Sequence, residues 1–378
     1  MSPLRRRRWL QAALGAAAPA WAEGHAPEGR APEDRIEAAR RLVFPRDHGA
    51  HLGSRIEWWY ATGWLQDRPA GALVGFQITF FRSRTGLAQD LPGRFAPRQL
   101  LFAHAAVSDM GAKTHRHAQR ITRWSGDESL PEAHVSRADT ALVLGRWAMH
   151  REDGAYRAQL AAPEAGFSLS LQLKPTQALL LQGEAGFSRK GPRPSQASHY
   201  YSQPQLAVSA ELSLGGQRQS LQGRGWIDHE WSDELLPADA VGWDWIGINL
   251  LDGGALTAFV LRRADGSQVW AGGSHRAAGA GVGGIARNFG PQELSFEPLR
   301  IWISQSTGAR YPVHWRIQSP AGHFELRALM DDQELDSRAS TGTVYWEGLA
   351  ELLGVDGARL GLGYLEMTGR AQPLKLGL

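Results

Sequence analysis

The stretch EWWYATGWLQDRPAGALVGFQITFF, Glu57 to Phe81, holds two apolar runs with Asp, Pro and Gly between them. Each run is about the length of a strand and rich in aromatic and β-branched residues, and neither keeps a 3.6-residue apolar period. The same grammar continues as LLFAHAAV, ALVLGRW, AYRAQL, FSLSLQL and ALLLQG. It resumes in the second half as LAVSAELSL, WDWIGINLL, GALTAFVLRR, FELRALM, VYWEGLAEL and LGLGYLEMTG. Tight-turn signals such as Asp252-Gly253-Gly254 join them. The expectation is an all-β protein of antiparallel meanders closed into a pair of β-barrels or strongly curved sheets. The segment from Arg189 to Pro204, with three Pro, reads as a long loop interrupting the strands.

The N-terminus reads as an export signal. Arg5 to Arg8 precede an apolar run to Ala18 and a small-residue site at Ala20-Trp21-Ala22, the order of a cleavable secretory peptide over residues 1–22. Its Arg-Arg-x-Trp-Leu character also resembles a twin-arginine signal. A periplasmic or secreted location is expected, and the run is too short for a stable membrane span. Residues 23–41 read as a flexible or partly helical leader. Two domains are then expected, over 42–235 and 236–378.

Without the four Arg of the signal, 41 basic against 38 acidic residues become 37 against 38, so the basic balance belongs to the signal. That charge gives no reason to expect nucleic acid as a partner. The absence of Cys excludes disulfides, thiolate metal sites and cysteine nucleophiles. No nucleotide-binding fingerprint and no G-x-S-x-G elbow is present, and no cofactor is expected. Fifteen Trp ask for a large aromatic core or cavity.

Two clusters carry candidate chemistry. In the first, strand alternation places Glu57 and Trp59 on one face and Trp58 and Tyr60 on the other. A buried Glu57 would need a partner or would sit protonated. Ahead of it, Asp47, His48 and His51 read as turn chemistry: Asp47 capping, His48 on the backbone and Arg55 paired with Glu57. A metal held by His48 and His51, with Asp47, His104, His115 or His117, is the alternative, and it lacks a third ligand at a recognisable spacing. The second cluster is GRGWIDHEWSD, Gly223 to Asp233, in which Trp226, Asp228 and Glu230 share a face. A carboxylate flanked by Trp has the surroundings that raise its proton affinity, which makes Asp228 a candidate proton donor. A surface Asp beside a core Trp is the competing reading. Trp243-Asp244-Trp245 repeats the pattern.

FPRDHGAHLGSRIEWWYATGWL, SHYYSQPQL, GRGWIDHEWS, YWEG and GYLEMTG together resemble the AttH-like family, exported proteins related to the carotenoid 1,2-hydratases. The resemblance spans Leu42 to the C-terminus. It implies two lipocalin-like antiparallel β-barrels packed together around a hydrophobic small-molecule ligand, lipid or isoprenoid-like. In the hydratase branch an Asp protonates an isolated double bond and water adds to the cation. The motif positions here correspond to Trp226 and Asp228, with His199 and Tyr201 upstream. The resemblance thus implies Asp228 as proton donor for acid-catalysed hydration or hydrolysis; His199 or Glu57 is then expected to orient or deprotonate water. Trp58, Trp59, Tyr60, Tyr200, Tyr201, Trp226, Trp231, Trp243 and Trp245 would line the aromatic pocket. The alternative function is a non-catalytic periplasmic carrier of an apolar metabolite, serving a membrane transporter. The opening and second clusters are expected to meet as first and last strands of one barrel.

Overall fold

The computed structural model describes residues 34–234, 236–279 and 286–374. The signal over 1–22 and the leader as far as residue 33 lie outside the described residues. The regular structure is nearly all strand, arranged as two curled antiparallel sheets, a barrel and a half-barrel.

The first sheet runs through β1 (Ile56–Gln66), β2 (Val74–Arg84), β3 (Gln99–Asp109), β4 (Thr114–Trp124), β5 (Ala133–Val135), β6 (Ala141–Leu144), β7 (Trp147–Glu152), β8 (Ala155–Ala162), β9 (Phe167–Lys174), β10 (Leu180–Leu181), β11 (Phe187–Arg189), β12 (Ala197–Leu214) and β13 (Gln217–Ser232). Its spatial order is β4-β3-β2-β1-β13-β12-β9-β8-β7-β6-β5, with β10 and β11 on β12. The second sheet holds β14 (Gly242–Leu250), β15 (Ala255–Arg262), β16 (Gln268–Arg276), β17 (Arg287–Phe289), β18 (Ser295–Ile303), β19 (Arg310–Ser319), β20 (Gly322–Ala328), β21 (Glu334–Asp336), β22 (Val344–Leu353) and β23 (Arg359–Met367). There the order is β17-β16-β15-β14-β23-β22-β20-β19-β18, with β21 on β22. Each sheet therefore pairs its first long strand with its last.

Period-two alternation sorts the side chains into separate cores. Trp59, Ala61 and Leu65 of β1 point into the first barrel with Phe76, Trp147 and Ile227. Tyr60 and Trp64 point outward and meet Trp226, Trp245, Phe259, Leu349 and Tyr364 between the two sheets. Trp315, Trp346 and Tyr311 fill the second sheet's own concave face. The abundance of Trp thus goes into packed core, most of the described Trp being buried.

One expectation is corrected here. Only the first half of Arg189–Pro204 is loop, because β12 starts at Ala197 and takes in His199, Tyr200 and Tyr201. Pro204 is accommodated by a bulge between Gln203 and Leu206, where no ladder N–H is required of it. Gln205 lies at the bulge with φ of 57°, and its backbone N–H donates to Asn249 Oδ1 (2.6 Å), tying the barrel to β14. The described end of the leader, residues 34–41, lies against the barrel mouth: the Glu37 N–H donates to His199 Nε2 (3.4 Å) and Arg40 pairs with Asp47 (2.6 Å).

The β1–β13 seam is close at one point. Gly63 faces Gly225 across the ladder, and a Cβ on Gly63 would stand 2.3 Å from the Arg224 carbonyl oxygen. Gly63→Ala should therefore cost about 1–3 kcal/mol of stability in chemical denaturation through overpacking. An unchanged midpoint would contradict this account of the seam.

Candidate functional site

Register at the seam sets where each polar group goes. Glu57 stands opposite Trp231, Trp59 opposite His229 and Tyr60 opposite Asp228. The two clusters do meet, but their side chains divide between opposite faces of one sheet.

On the inner face, Glu57 is fully buried and directly opposite Arg82 of β2. Arg82 Nε donates to Glu57 Oε2 (2.9 Å), while His51 Nδ1 (2.8 Å) and His229 Nε2 (3.0 Å) reach Oε1. The His51 N–H donates to the same carboxylate (3.0 Å). Although burial works to raise it, the charge of Arg82 and His51 and these hydrogen bonds hold Glu57 well below its usual range. The partner is thus Arg82, not the neighbouring Arg55, whose backbone N–H instead donates to Asp233 (3.0 Å). Asp47 does not cap the turn it lies in; it accepts from the Val43 N–H four residues back (2.6 Å) and also meets His51 Nε2 (3.1 Å). His48 bonds not to backbone but to the Tyr201 hydroxyl (2.8 Å), which also meets His229 Nδ1 (3.1 Å). Aromatic faces seal the network: Trp231 stacks on His51 at 3.6 Å and Trp59 on His229 at 4.6 Å.

His51 Nδ1, Glu57 Oε1 and His229 Nε2 lie within 4.8 Å of one another and are the group able to hold a metal ion among the described residues. Glu57 is, however, engaged by five protein contacts that include a guanidinium. That donor set satisfies a carboxylate without a metal, so the residues do not favour one. The expected ligand pair breaks up, since His48 faces Tyr201; His104 bonds to Tyr345 and Ser340, and His115 to Ser108.

On the outer face, between the sheets, Asp228 is 3% exposed. It accepts from Tyr200 OH (2.7 Å), Ser202 Oγ (2.5 Å) and Trp226 Nε1 (2.7 Å). Trp245 Nε1 donates in turn to the Tyr200 hydroxyl (3.1 Å). Burial pushes Asp228 up to about 7 against the pull of these donors, and the charge of Glu230 adds to the rise. Glu230 itself pairs with Lys190 (2.8 Å), whose ammonium lies over the rings of Tyr200 and Phe259. Facing this group from the second sheet, Glu347 and Glu366 sit directly opposite each other on β22 and β23. Burial raises both, and Tyr60 donates to Glu347. The YWEG and GYLEMTG motifs thus supply acids to the same space, a role that their spacing in the sequence does not signal.

Asp228, Trp226, Tyr200, Tyr60, Trp58, Trp243 and Trp245 are therefore brought together between the sheets, with Trp58 stacked on Trp243. Glu57, His199, Trp59, Tyr201 and Trp231 are not. They face the barrel interior, so the pairing of Glu57 or His199 with Asp228 across one reacting centre is contradicted by strand alternation itself. Nor do the nine expected pocket aromatics line the aromatic-walled cleft. The open cleft, about 760 Å³, is walled instead by Phe187, Phe259, Trp270 and Phe289, with Gln182, Ser188 and Arg189 as its polar groups. Its volume and aromatic walls suit a small apolar ligand. It lies one step from the acid: Gln182 Nε2 donates to Ser202 Oγ (2.8 Å), which donates to Asp228.

A model of the AttH-like family matches residues 35–370. The chain is similar to the crystal structure of an AttH candidate from Nitrosomonas europaea, with 45% identity and a TM-score of 0.80 over 89% of this chain and 99% of that one. It is also similar to the structure of kievitone hydratase from Nectria haematococca, with 14% identity and a TM-score of 0.64 over 86% and 92% of the two chains, a likeness of fold alone. A search of curated proteins found no match.

The inner network makes a quantitative demand. Glu57→Gln leaves the buried Arg82 without its counter-charge and should destabilise the protein by about 3–5 kcal/mol in chemical denaturation. A loss under about 1 kcal/mol would mean that Arg82 finds its compensation elsewhere.

Proposed function

Because the chain belongs to the AttH-like family, we propose that it is an exported protein that binds an apolar, alkene-bearing molecule in the cleft between its sheets and hydrates it by acid catalysis. The observation that carries this reading is Asp228: a buried carboxyl held near neutrality, among aromatic rings, beside the one described cleft with aromatic walls. Asp228 in its acid form transfers a proton to one alkene carbon. The π electrons form the new C–H bond, and the cation left on the other carbon is stabilised by ring faces such as those of Phe259 and Trp270. Water adds to that carbon and returns a proton to the carboxylate, so alkene and water give an alcohol with the acid regenerated. Tyr200, Ser202 and Trp226 stabilise the carboxylate while the cation exists. The kinship in fold with a hydratase supports this reading without supplying the substrate.

A second reading rests on a specific observation: the cleft's walls are Gln182, Ser188, Phe259 and their neighbours, while Asp228 stands two hydrogen bonds behind Gln182, through Ser202. On that reading the protein is a carrier that delivers an apolar metabolite to a membrane transporter, and Asp228 only ties the sheets together.

The readings separate in heavy water. Mass spectrometry of the molecule that co-purifies identifies a test ligand. Incubation with wild type in D₂O should then yield an alcohol with deuterium on carbon, at a rate that falls as pH rises through about 7. Asp228→Asn should bind equally well and lose at least about a hundredfold in rate, the scale of a general-acid contribution. Equal binding with no conversion by either protein would establish the carrier reading instead.

A further inference from the structure

Under the segment 34–44, the barrel mouth contains two buried N–H donors that have no hydrogen-bond partner among the described residues. His199 and Trp231 are both fully buried and stand directly opposite each other on β12 and β13, on the same face, with ring centroids 5.5 Å apart. His199 Nε2 accepts from the Glu37 N–H (3.4 Å), so in the neutral ring the proton is on Nδ1, and that atom lacks a partner. Burial, aided by the charge of Arg40, lowers His199 to about 4, which keeps the ring neutral at ordinary pH. Trp231 is clamped on its faces, by His51 at 3.6 Å on one ring contact and by the Arg40 guanidinium at 5.4 Å, yet its Nε1–H also lacks a partner. An unused buried donor costs about 1–3 kcal/mol, and two on neighbouring residues are rare in a native core.

The place of these donors relative to the cleft gives them a use. Phe187 lies directly opposite His199 on β11, touches its ring with centroids 6.0 Å apart, and also walls the aromatic cleft. Ile36 and Ala38 of the same covering segment wall the cleft on that side. The mouth donors and the cleft are therefore neighbours, with Phe187 touching His199 and lining the cleft and one strap bordering both. The mouth offers the His199 and Trp231 donors, with Arg40 nearby and paired to Asp47.

We propose that the barrel mouth under residues 34–44 is the head-group end of the binding site, where His199 Nδ1–H and Trp231 Nε1–H hold an acceptor oxygen of an amphiphile, a carbonyl or carboxylate, whose apolar tail lies in the cleft. This rests on the cleft being the binding site, and it reassigns His199 from catalysis to recognition. A neutral carbonyl and a carboxylate share the acceptor chemistry; they differ in what the cation of Arg40 adds.

The test displaces a polyene fluorophore from purified protein with three probes of one chain length: oleic acid, methyl oleate and 9-octadecene. In wild type the acid and the ester should each bind at least about tenfold more tightly than the alkene, the equivalent of about 1.4 kcal/mol. Acid bound more tightly than ester would identify a carboxylate ligand; equal binding of the two would identify a carbonyl. His199→Phe and Trp231→Phe should each bring acid and ester close to the alkene's affinity while the alkene binds as in wild type, which also serves as the control for folding. His199→Gln, which keeps an N–H donor, should retain a preference. The proposal is overturned if the three probes bind wild type alike, or if the preference survives in both Phe variants. If the alkene fails to bind wild type, the apolar cleft reading fails; if the alkene binds without any head-group preference, only the present proposal does.

Discussion

The antiparallel pairing of β1 with β13 is the constraint on which the rest depends. It brings Glu57 to Leu65 alongside Gly223 to Trp231, residues far apart in the chain, and does so in one register. Because successive side chains point to opposite faces, that register deals each polar residue to one of two environments. Glu57, His229 and Trp231 go to the barrel interior; Tyr60, Asp228 and Glu230 go to the space between the sheets. A one-residue slip of β13 would put Asp228 on Arg82's side of the sheet, and the same slip of β1 would put Glu57 among the acids of β22 and β23.

The two environments treat a carboxylate in opposite ways. Glu57 is buried beside a guanidinium, and ion pairing overrides the cost of desolvation. Asp228 is buried among hydroxyl and indole donors with further acids close by, and desolvation wins. One group is consequently fixed as an anion that anchors the barrel mouth, and the other is left able to hold or release a proton near neutrality. The difference arises from what surrounds each: Arg82 on the adjacent strand for the first, and for the second burial that its hydrogen-bond donors do not offset, with Glu230 of its own strand adding to it.

The fold class was legible because strand-length apolar runs with turn residues between them leave few alternatives, and the pairing of first and last strands followed from closing an up-and-down sheet. Alternation correctly put Trp226, Asp228 and Glu230 on one face. The strand β4, THRHAQRITRW, was not legible: it is polar and largely exposed on one face, so its apolar signal is weak. The Arg82 partner of Glu57 was hidden for a related reason, since only strand register reveals a residue 25 positions away, while Arg55 was near in sequence and faces elsewhere. Glu347 and Glu366 were likewise invisible as a pair, because nothing in YWEG or GYLEMTG says that the two strands stand opposite each other. Tyr201 and His199 were placed with Asp228 on motif order alone, which does not state the face.

The account turns on Asp228 holding a proton near neutral pH between two sheets. Carbon-13 NMR of protein labelled at the aspartate carboxyl carbons, titrated from pH 4 to 9 in wild type and Asp228→Asn, reads that directly. The account predicts one aspartate signal titrating near pH 7 that is missing from the variant. If every aspartate in the folded wild type titrates below about pH 5, in the range of ordinary carboxylates, Asp228 is an anion throughout and the account is wrong.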